Sequence, residues 1–409
     1  MSYLKQAISG FTWQTALKIA SSLIALIKIS ILARLLSPND FGLFSLTVIA
    51  LGLSEAAAQT GINITILQSK RSVDYFLDTA WVISIARGFV IAIVMILMGF
   101  GLSYYFDNPQ LISLVALASL VPTIKGFINP SIIALRKNFK FFKDSLYHLS
   151  LIIAESVLAI AFGLLLKSVT AMILSMIGAA IVEVIISFVF FELKPQFRYL
   201  KSRAQTIFDN AKWLSLASLM GYLNDNLDDL VIGKLLGTYR LGLYHNAYAL
   251  THKANYDLAR SVHHGAFPIY ARIASDTARL KRVTYKTITW TSLMLLLTSI
   301  PFLLFPELIV NIILGPQWLE VVPLIKWLVL AGVAHSLALI GYTLFLAKGS
   351  YKILNLHQFA NLILTISLII LWSQKQGLMG AVTGLAVGRL LALPLIAYGI
   401  YQQTKSTKA

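Results

Sequence analysis

Fifteen ionisable side chains fall inside segments apolar enough to cross a bilayer, and they define the chemistry open to this chain. Eight are basic: Lys18, Lys28, Arg87, Lys125, Lys253, Arg260, Lys326 and Arg389. Seven are acidic: Glu55, Glu155, Glu183, Asp225, Asp228, Asp229 and Asp257. A charge at mid-bilayer costs about 2.5–3.5 kcal/mol even on lenient insertion scales, so these groups do not face lipid. They must line a watery cavity, pair with one another or snorkel at span ends, as the positions of Lys326 and Asp229 allow. Cations held in such a cavity meet phosphates through charge-assisted hydrogen bonds. Clustered carboxylates suit a hard cation or a proton.

The eighth apolar segment, 241–266, has the clearest geometry. Asn246, Lys253, Asp257, Arg260 and His264 recur at spacings of seven, four, three and four, which places them along one helical face. Lys253 and Asp257 lie one turn apart and can neutralise each other, leaving Arg260 in surplus. The second segment, 41–66, has a weaker stripe of Ser45, Gly52, Glu55, Gln59 and Asn63. A polar face on both helices fits a central cavity; structural ion pairs locking a bundle are the alternative. The seventh segment holds Asn224, Asp225, Asp228 and Asp229, an oxygen-rich group for Na+ or a proton, or an acidic face pairing with Arg260 or Lys253.

Two further segments are marked by helix-breaking or small residues. Pro122, Lys125, Gly126, Asn129 and Pro130 predict a break in the fourth span, tolerated where freed carbonyls face a cavity or a neighbouring helix. Gly380, Gly384 and Gly388 predict a close-packing face beside Arg389. No catalytic arrangement emerges. The sequence has no GxSxG elbow, no GxxxxGK[ST] loop and no HExxH spacing among its seven histidines. His263-His264 is a weak metal candidate, better read as a headgroup contact, and no metal site is expected. The absence of cysteine excludes disulfides and thiolate chemistry.

The elements that position these residues are helices. The chain has 409 residues, 57% hydrophobic and 12% charged, whereas soluble domains carry about 25% charged residues. Mean hydropathy is +0.76. Spans are predicted near 12–34, 41–66, 79–103, 111–135, 145–167, 169–191, 212–236, 241–266, 284–306, 322–347, 353–373 and 378–401. Arg34-Leu35-Leu36 with Gly42-Leu43-Phe44 recurs 200 residues later as Lys234-Leu235-Leu236 with Gly242-Leu243-Tyr244. Such duplication marks transporters built from two similar halves, and six spans per half makes the repeats parallel. The expected fold is an all-α integral membrane protein with about twelve transmembrane helices in two six-helix lobes around a central cavity. The N-terminal lobe is expected over 1–191, an amphipathic cytoplasmic linker over 192–212 and the C-terminal lobe over 213–409. No cleavable signal is expected. Twenty-one Lys and Arg residues fall on one side, from Lys5 to Lys408 and including Lys212, against five on the other. Both termini are therefore expected in the cytoplasm, and the +17 net charge reflects the membrane rather than nucleic acid. Trp13, Trp81, Trp213, Trp290, Trp318 and Trp372 fall near span ends, as interfacial anchors do.

Ile31–Leu46 (ILARLLSPNDFGLFSL), Leu77–Gly88 (LDTAWVISIARG), Asp229–Tyr244 (DLVIGKLLGTYRLGLY) and Ala266–Ala274 (AFPIYARIA) resemble segments of the Wzx-type oligosaccharide flippases. These belong to the polysaccharide-transporter branch of the multidrug/oligosaccharidyl-lipid/polysaccharide exporter superfamily. The resemblance extends over residues 1–402. It implies a cationic cavity between two lobes through which a polyprenyl-pyrophosphate-linked glycan is turned over. Some members carry two further C-terminal helices that the twelve expected here do not include, which leaves any lipid-tail groove from those helices open. The resemblance implies substrate contact at Lys28, Arg87, Lys125, Lys253 and Arg260, with Glu55, Gln59, Asn246, Asp257 and His264 as cavity polar groups. By analogy with lipid II flippases, Asp225, Asn361 and Thr383, together with Asp228, are candidates for Na+ or H+ coupling. No cofactor is expected. The expected partners are the lipid-linked oligosaccharide, the membrane, a glycan polymerase and glycosyltransferases, with the chain a monomer in the bacterial inner membrane. A cation-coupled drug or metabolite antiporter of the same fold is the main alternative. A glycan polymerase or ligase and a non-transporting scaffold are further ones. The sugar itself is not legible.

Overall fold

The computed structural model describes residues 3–191, 193–208 and 211–405. Lys408 and the side chains of Lys5, Trp13, Lys18, Lys212, Trp213, Lys253 and His264 lie outside the described residues. Every regular element among the described residues is helical: α1 Tyr3–Leu35, α2 Pro38–Ala57, α3 Ile62–Gln68, α4 Val73–Phe106, α5 Gln110–Ala118, α6 Leu120–Lys125, α7 Ile133–Lys137, α8 Phe141–Leu166, α9 Val169–Val189, α10 Lys201–Phe208, α11 Ala211–Arg272, α12 Thr277–Leu304, α13 Pro306–Ile313, α14 Val322–Ala347 and α15 Tyr351–Thr404. Two short 3-10 turns, Pro130–Ile132 and Pro316–Val321, complete the set. Among the described residues, seven helices are long and apolar enough to cross a membrane, or eight if the bent pair Gln110–Lys125 and Pro130–Lys137 is one span. The chain divides into two compact units, Met1–Asn226 and Leu227–Ala409. The division lies inside α11, so residues 193–208 of the expected linker belong to the first unit.

The duplicated segments break helices at the same offset. Ser37 separates α1 from α2, and Gly237, at φ 84° and ψ 170°, interrupts α11. The first copy solves the break with a capping box: the Asp40 backbone N–H donates to Ser37 Oγ, and Ser37 N–H donates to Asp40 Oδ2 at 2.9 Å. Pro38 fits the first helical turn because no intrahelical donor is needed there. The free Asp40 Oδ1 accepts the Val169 N–H at 3.1 Å, so one carboxylate caps α2 and α9 together. The second copy makes its break at a glycine with positive φ. Leu43 and Leu243, matched in the repeat, are both buried in their own units.

The expected break in the fourth span is present. The helix stops at Lys125 and resumes at Pro130 with a bend of 66°. Its freed polar groups are satisfied within the first unit. Trp81 Nε1 donates to the Phe127 carbonyl at 3.0 Å, and Asn129 Nδ2 donates to the Leu193 carbonyl at 2.8 Å. This corrects the reading of Trp81 as an interfacial anchor: it is 8% exposed and serves the broken helix. Trp318 is likewise buried, whereas Trp290 is exposed.

The described part of the expected linker, 193–208, docks on the first unit. Ala204 and Ile207 join a core with Ile62, Ile66, Phe76 and Ile83, while Arg198 and Lys201 remain exposed. Arg203 stacks 4.3 Å over the Tyr75 ring.

In the second unit, Gly377 (φ 57°, ψ −134°) divides α15. The two arms then pack closely along the expected glycine face. A Cβ at Gly384 would lie 2.7 Å from the Leu368 backbone, and one at Gly388 would lie 2.6 Å from Thr365 Cα.

Candidate functional site

Within the first unit, the helix breaks at 58–61 and 126–129 enclose a charged cavity of about 480 Å³. Glu55, Gln59 and Asn63 enter from α2 and α3, Arg87 from α4, Lys125 from α6 and Glu183 from α9. Arg136, Asp144 and His148 line it as well. The cavity thus gathers Arg87, Lys125, Glu55 and Gln59 from the residues expected on sequence grounds. The upper half of the expected stripe does not reach it. Ser45 donates to the Gly42 carbonyl inside the core, and Gly52 is pressed against the Tyr222 ring.

Two glycines bring the cations to one place. A Cβ at Gly88 would lie 2.5 Å from the Pro122 carbonyl oxygen, and one at Gly126 would lie 2.9 Å from the Ser84 carbonyl oxygen. α4 and α6 therefore touch backbone to backbone at residues adjacent to Arg87 and Lys125. The charges of Arg136 and Asp144 are mutually satisfied, with Arg136 Nε donating to Asp144 Oδ1 at 3.1 Å and Oδ2 at 3.2 Å. Arg136 Nη2 also lies 2.6 Å from His148 Nε2. Arg87 and Lys125 make no ion pair within 4.0 Å among the described residues. Lys125 is exposed, and the buried Arg87 Nε has no hydrogen-bond partner. Glu55 and Glu183 balance them at longer range, so the first unit holds a mixed-charge cavity rather than a purely cationic one.

Lys28 is engaged elsewhere: its Nζ donates to Glu155 Oε1 at 2.7 Å between α1 and α8. That pair, and not the first-unit cavity, is its setting. In the second unit, Asn246 is buried and donates to the Gly242 carbonyl of its own helix. Asp257 is half-buried and Arg260 exposed.

The residues expected to couple an ion differ in their settings. Asp225 is exposed in the first unit. Asp228 is buried in the second, where it accepts a 2.5 Å hydrogen bond from Tyr244 Oη and lies 4.0 Å from Arg389 Nη2. Arg389 Nη2 donates to Tyr248 Oη at 3.0 Å. Thr383 donates to the Met379 carbonyl in its own helix, and Asn361 is half-buried. A resident guanidinium thus stands beside Asp228 where a coupling cation was expected. Asp229 pairs with His245 at 3.3 Å, and a ladder of Tyr248, His252 and Tyr256 stacks along the same helix. His263 Nδ1 lies 2.6 Å from Thr343 Oγ1. No group of three metal-ligating side chains occurs among the described residues. Sequence reasoning counted Glu183 among the intramembrane charges without assigning it to the cavity, and missed Arg136, Asp144 and His148 as cavity groups and Arg389 as the partner of Asp228.

Comparison with known proteins agrees with this architecture. The lipopolysaccharide biosynthesis protein WzxC of Escherichia coli is 22% identical over 404 residues, covering 96% of this chain and 80% of that protein. The teichuronic acid biosynthesis protein TuaB of Bacillus subtilis is 21% identical over 355 residues, covering 85% and 72%. Among solved structures, an inward-facing multidrug resistance MATE family transporter of the MOP superfamily matches with a TM-score of 0.69 at 13% identity, covering 95% of this chain and 96% of that one. The lipid II flippase MurJ, in an inward closed conformation, matches with a TM-score of 0.64 at 14% identity, covering 94% and 87%. These likenesses carry the fold: an all-helical, multi-pass membrane protein. Residues 31–323 match the family described as polysaccharide biosynthesis protein. The resemblance to Wzx-type flippases is borne out, and the chain belongs to the polysaccharide biosynthesis protein family.

Proposed function

We propose that this chain moves a polyprenyl-diphosphate-linked oligosaccharide from the cytoplasmic to the outer leaflet of the bacterial inner membrane, for assembly of a surface polysaccharide. Arg87 and Lys125 carry the reading: two cations without ion-pair partners within 4.0 Å among the described residues converge on a cavity inside an apolar unit. A diphosphate bearing sugars cannot enter hydrocarbon unaided, because each buried polar group loses several kcal/mol without a partner. The cavity replaces that hydration with charge-assisted hydrogen bonds from Arg87 and Lys125, while Gln59 and Asn63 offer amide partners to sugar hydroxyls. The carrier tail stays in an apolar environment throughout.

Glu55 and Glu183 give the site a release device. In the empty cavity they offset Arg87 and Lys125 at longer range. An arriving diphosphate competes with those carboxylates for the two cations, and they draw the cations back when it leaves. The reading includes six spans in each half, obtained by dividing α11 at Gly237 and α15 at Gly377, and cytoplasmic termini. It also places the chain beside the glycosyltransferases and polymerase that make and consume such a cargo.

The test is complementation of a strain whose surface polysaccharide depends on this gene. Arg87→Gln with Lys125→Gln abolishes surface polysaccharide at normal membrane abundance; full polysaccharide at normal abundance defeats the reading. A drug exporter is the second reading, favoured by the MATE-like fold and by Glu55 and Glu183, which suit a cationic ligand. Drug resistance without any change in surface glycan is its signature.

A further inference from the structure

A second cavity of about 470 Å³ opens beside the charged one in the first unit. Gln59, Thr60 and Arg87 line both. Apart from Ser215 and the ring of Tyr199, the rest of its wall is aliphatic or phenyl. Val82, Ala86 and Val90 follow at intervals of four along α4 and form one stripe. Tyr199, just before α10, and Phe208, its last residue, line the cavity from the docked 193–208 segment. Val90, Tyr199 and Phe208 are 54%, 55% and 46% exposed, so the groove is open rather than filled by the protein's own side chains.

The junction between the cavities distinguishes this groove from ordinary lipid-facing surface. Arg87 serves both spaces, and its buried Nε lacks a hydrogen-bond partner. Mostly apolar walls that lead to a guanidinium with an unsatisfied Nε are complementary to an amphiphile in which a hydrocarbon chain joins an anionic phosphate directly. A free sugar phosphate would leave the apolar side empty, and a plain hydrocarbon would leave Arg87 unmatched.

We propose that the groove binds the phosphate-proximal isoprenoid units of the carrier lipid, with Arg87 meeting the phosphate at their junction. This rests on the cargo reading above and adds to it a tail site in the first unit, walled by the interfacial segment. The isoprenoid chain is thereby held before and after the head group crosses.

Binding by the purified full-length protein tests it, with farnesyl diphosphate as the probe and inorganic pyrophosphate as the head group alone. The expected result is at least tenfold tighter binding of farnesyl diphosphate. Val90→Trp and Ala86→Trp, which fill the groove, bring the ratio of the two affinities toward one. A benzophenone-bearing farnesyl diphosphate labels residues 82–90 and 199–208, a readout that does not depend on either variant folding. Equal affinity of the two ligands, an unchanged ratio in both tryptophan variants, or labelling elsewhere overturns the groove while leaving the head site intact. Displacement of farnesyl diphosphate by phosphatidylglycerol at equal concentration overturns it as an isoprenoid site. Failure of both ligands to bind the wild-type protein overturns the cargo reading and the groove together.

Discussion

Arg87 and Lys125 reach one cavity because each adjoins a glycine at which α4 and α6 touch backbone to backbone. Gly88 meets the Pro122 carbonyl, and Gly126 meets the backbone of Ser84 and Ile85. The cations are placed by what their neighbours lack. A side chain at either glycine would push the two helices, and with them the two charges, apart.

Gly88→Ala is therefore expected to destabilise the protein by about 1–3 kcal/mol, the usual cost of overpacking, and to weaken diphosphate binding. Gly101→Ala is the control, since nothing lies within 4 Å of the added carbon. Thermal unfolding of the purified variants checks this: Gly88→Ala melts lower than wild type, and Gly101→Ala does not.

Removing one cavity cation at a time should weaken binding of a diphosphate head. A hydrogen bond to a charged group contributes about 1.5–3 kcal/mol, so Arg87→Gln or Lys125→Gln is expected to lose roughly 10- to 100-fold in affinity. Calorimetry with a short-chain prenyl diphosphate measures it. Binding weakens with added salt in wild type and is less salt-sensitive in the variants.

The acids act in the opposite direction. Glu55 and Glu183 compete with the ligand for Arg87 and Lys125, so Glu55→Gln and Glu183→Gln should tighten anion binding. Calorimetry with the same prenyl diphosphate reads the gain, and unchanged affinity in both variants would contradict it.

In the second unit, Arg389→Met leaves Asp228 buried without its counter-charge. Breaking one side of such a pair typically costs about 3–5 kcal/mol. The double variant Arg389→Met with Asp228→Asn should recover most of that loss, because no lone charge remains. Melting temperature reads both. The resident guanidinium also predicts that added NaCl stabilises the wild-type protein no more than KCl does.

Local features of the sequence foretold local features of the structure. The Pro122–Pro130 cluster announced a broken helix, and the repeat announced breaks at Ser37 and Gly237. The four-residue glycine spacing announced the close packing of α15 on itself after Gly377. Pairings between distant helices were not legible. Lys28 and Glu155 are 127 residues apart, and nothing in the periodicity of either helix reveals that they face each other. The same holds for Asp228 and Arg389. Helical spacing fixes a face but not the neighbour that the face meets, which packing decides. Arg136 was hidden differently: it counts among loop charges by position, yet its guanidinium turns to Asp144 at the cavity.

Transport by the reconstituted protein tests the central claim most directly. Proteoliposomes carrying a lipid-diphosphate-linked oligosaccharide in one leaflet report its arrival in the other through an added lectin. Wild-type protein should expose the glycan to the lectin, and Arg87→Gln with Lys125→Gln should leave it hidden at the background of empty vesicles. Equal exposure by wild type and the double variant would contradict the assignment of these two cations to the translocated head group.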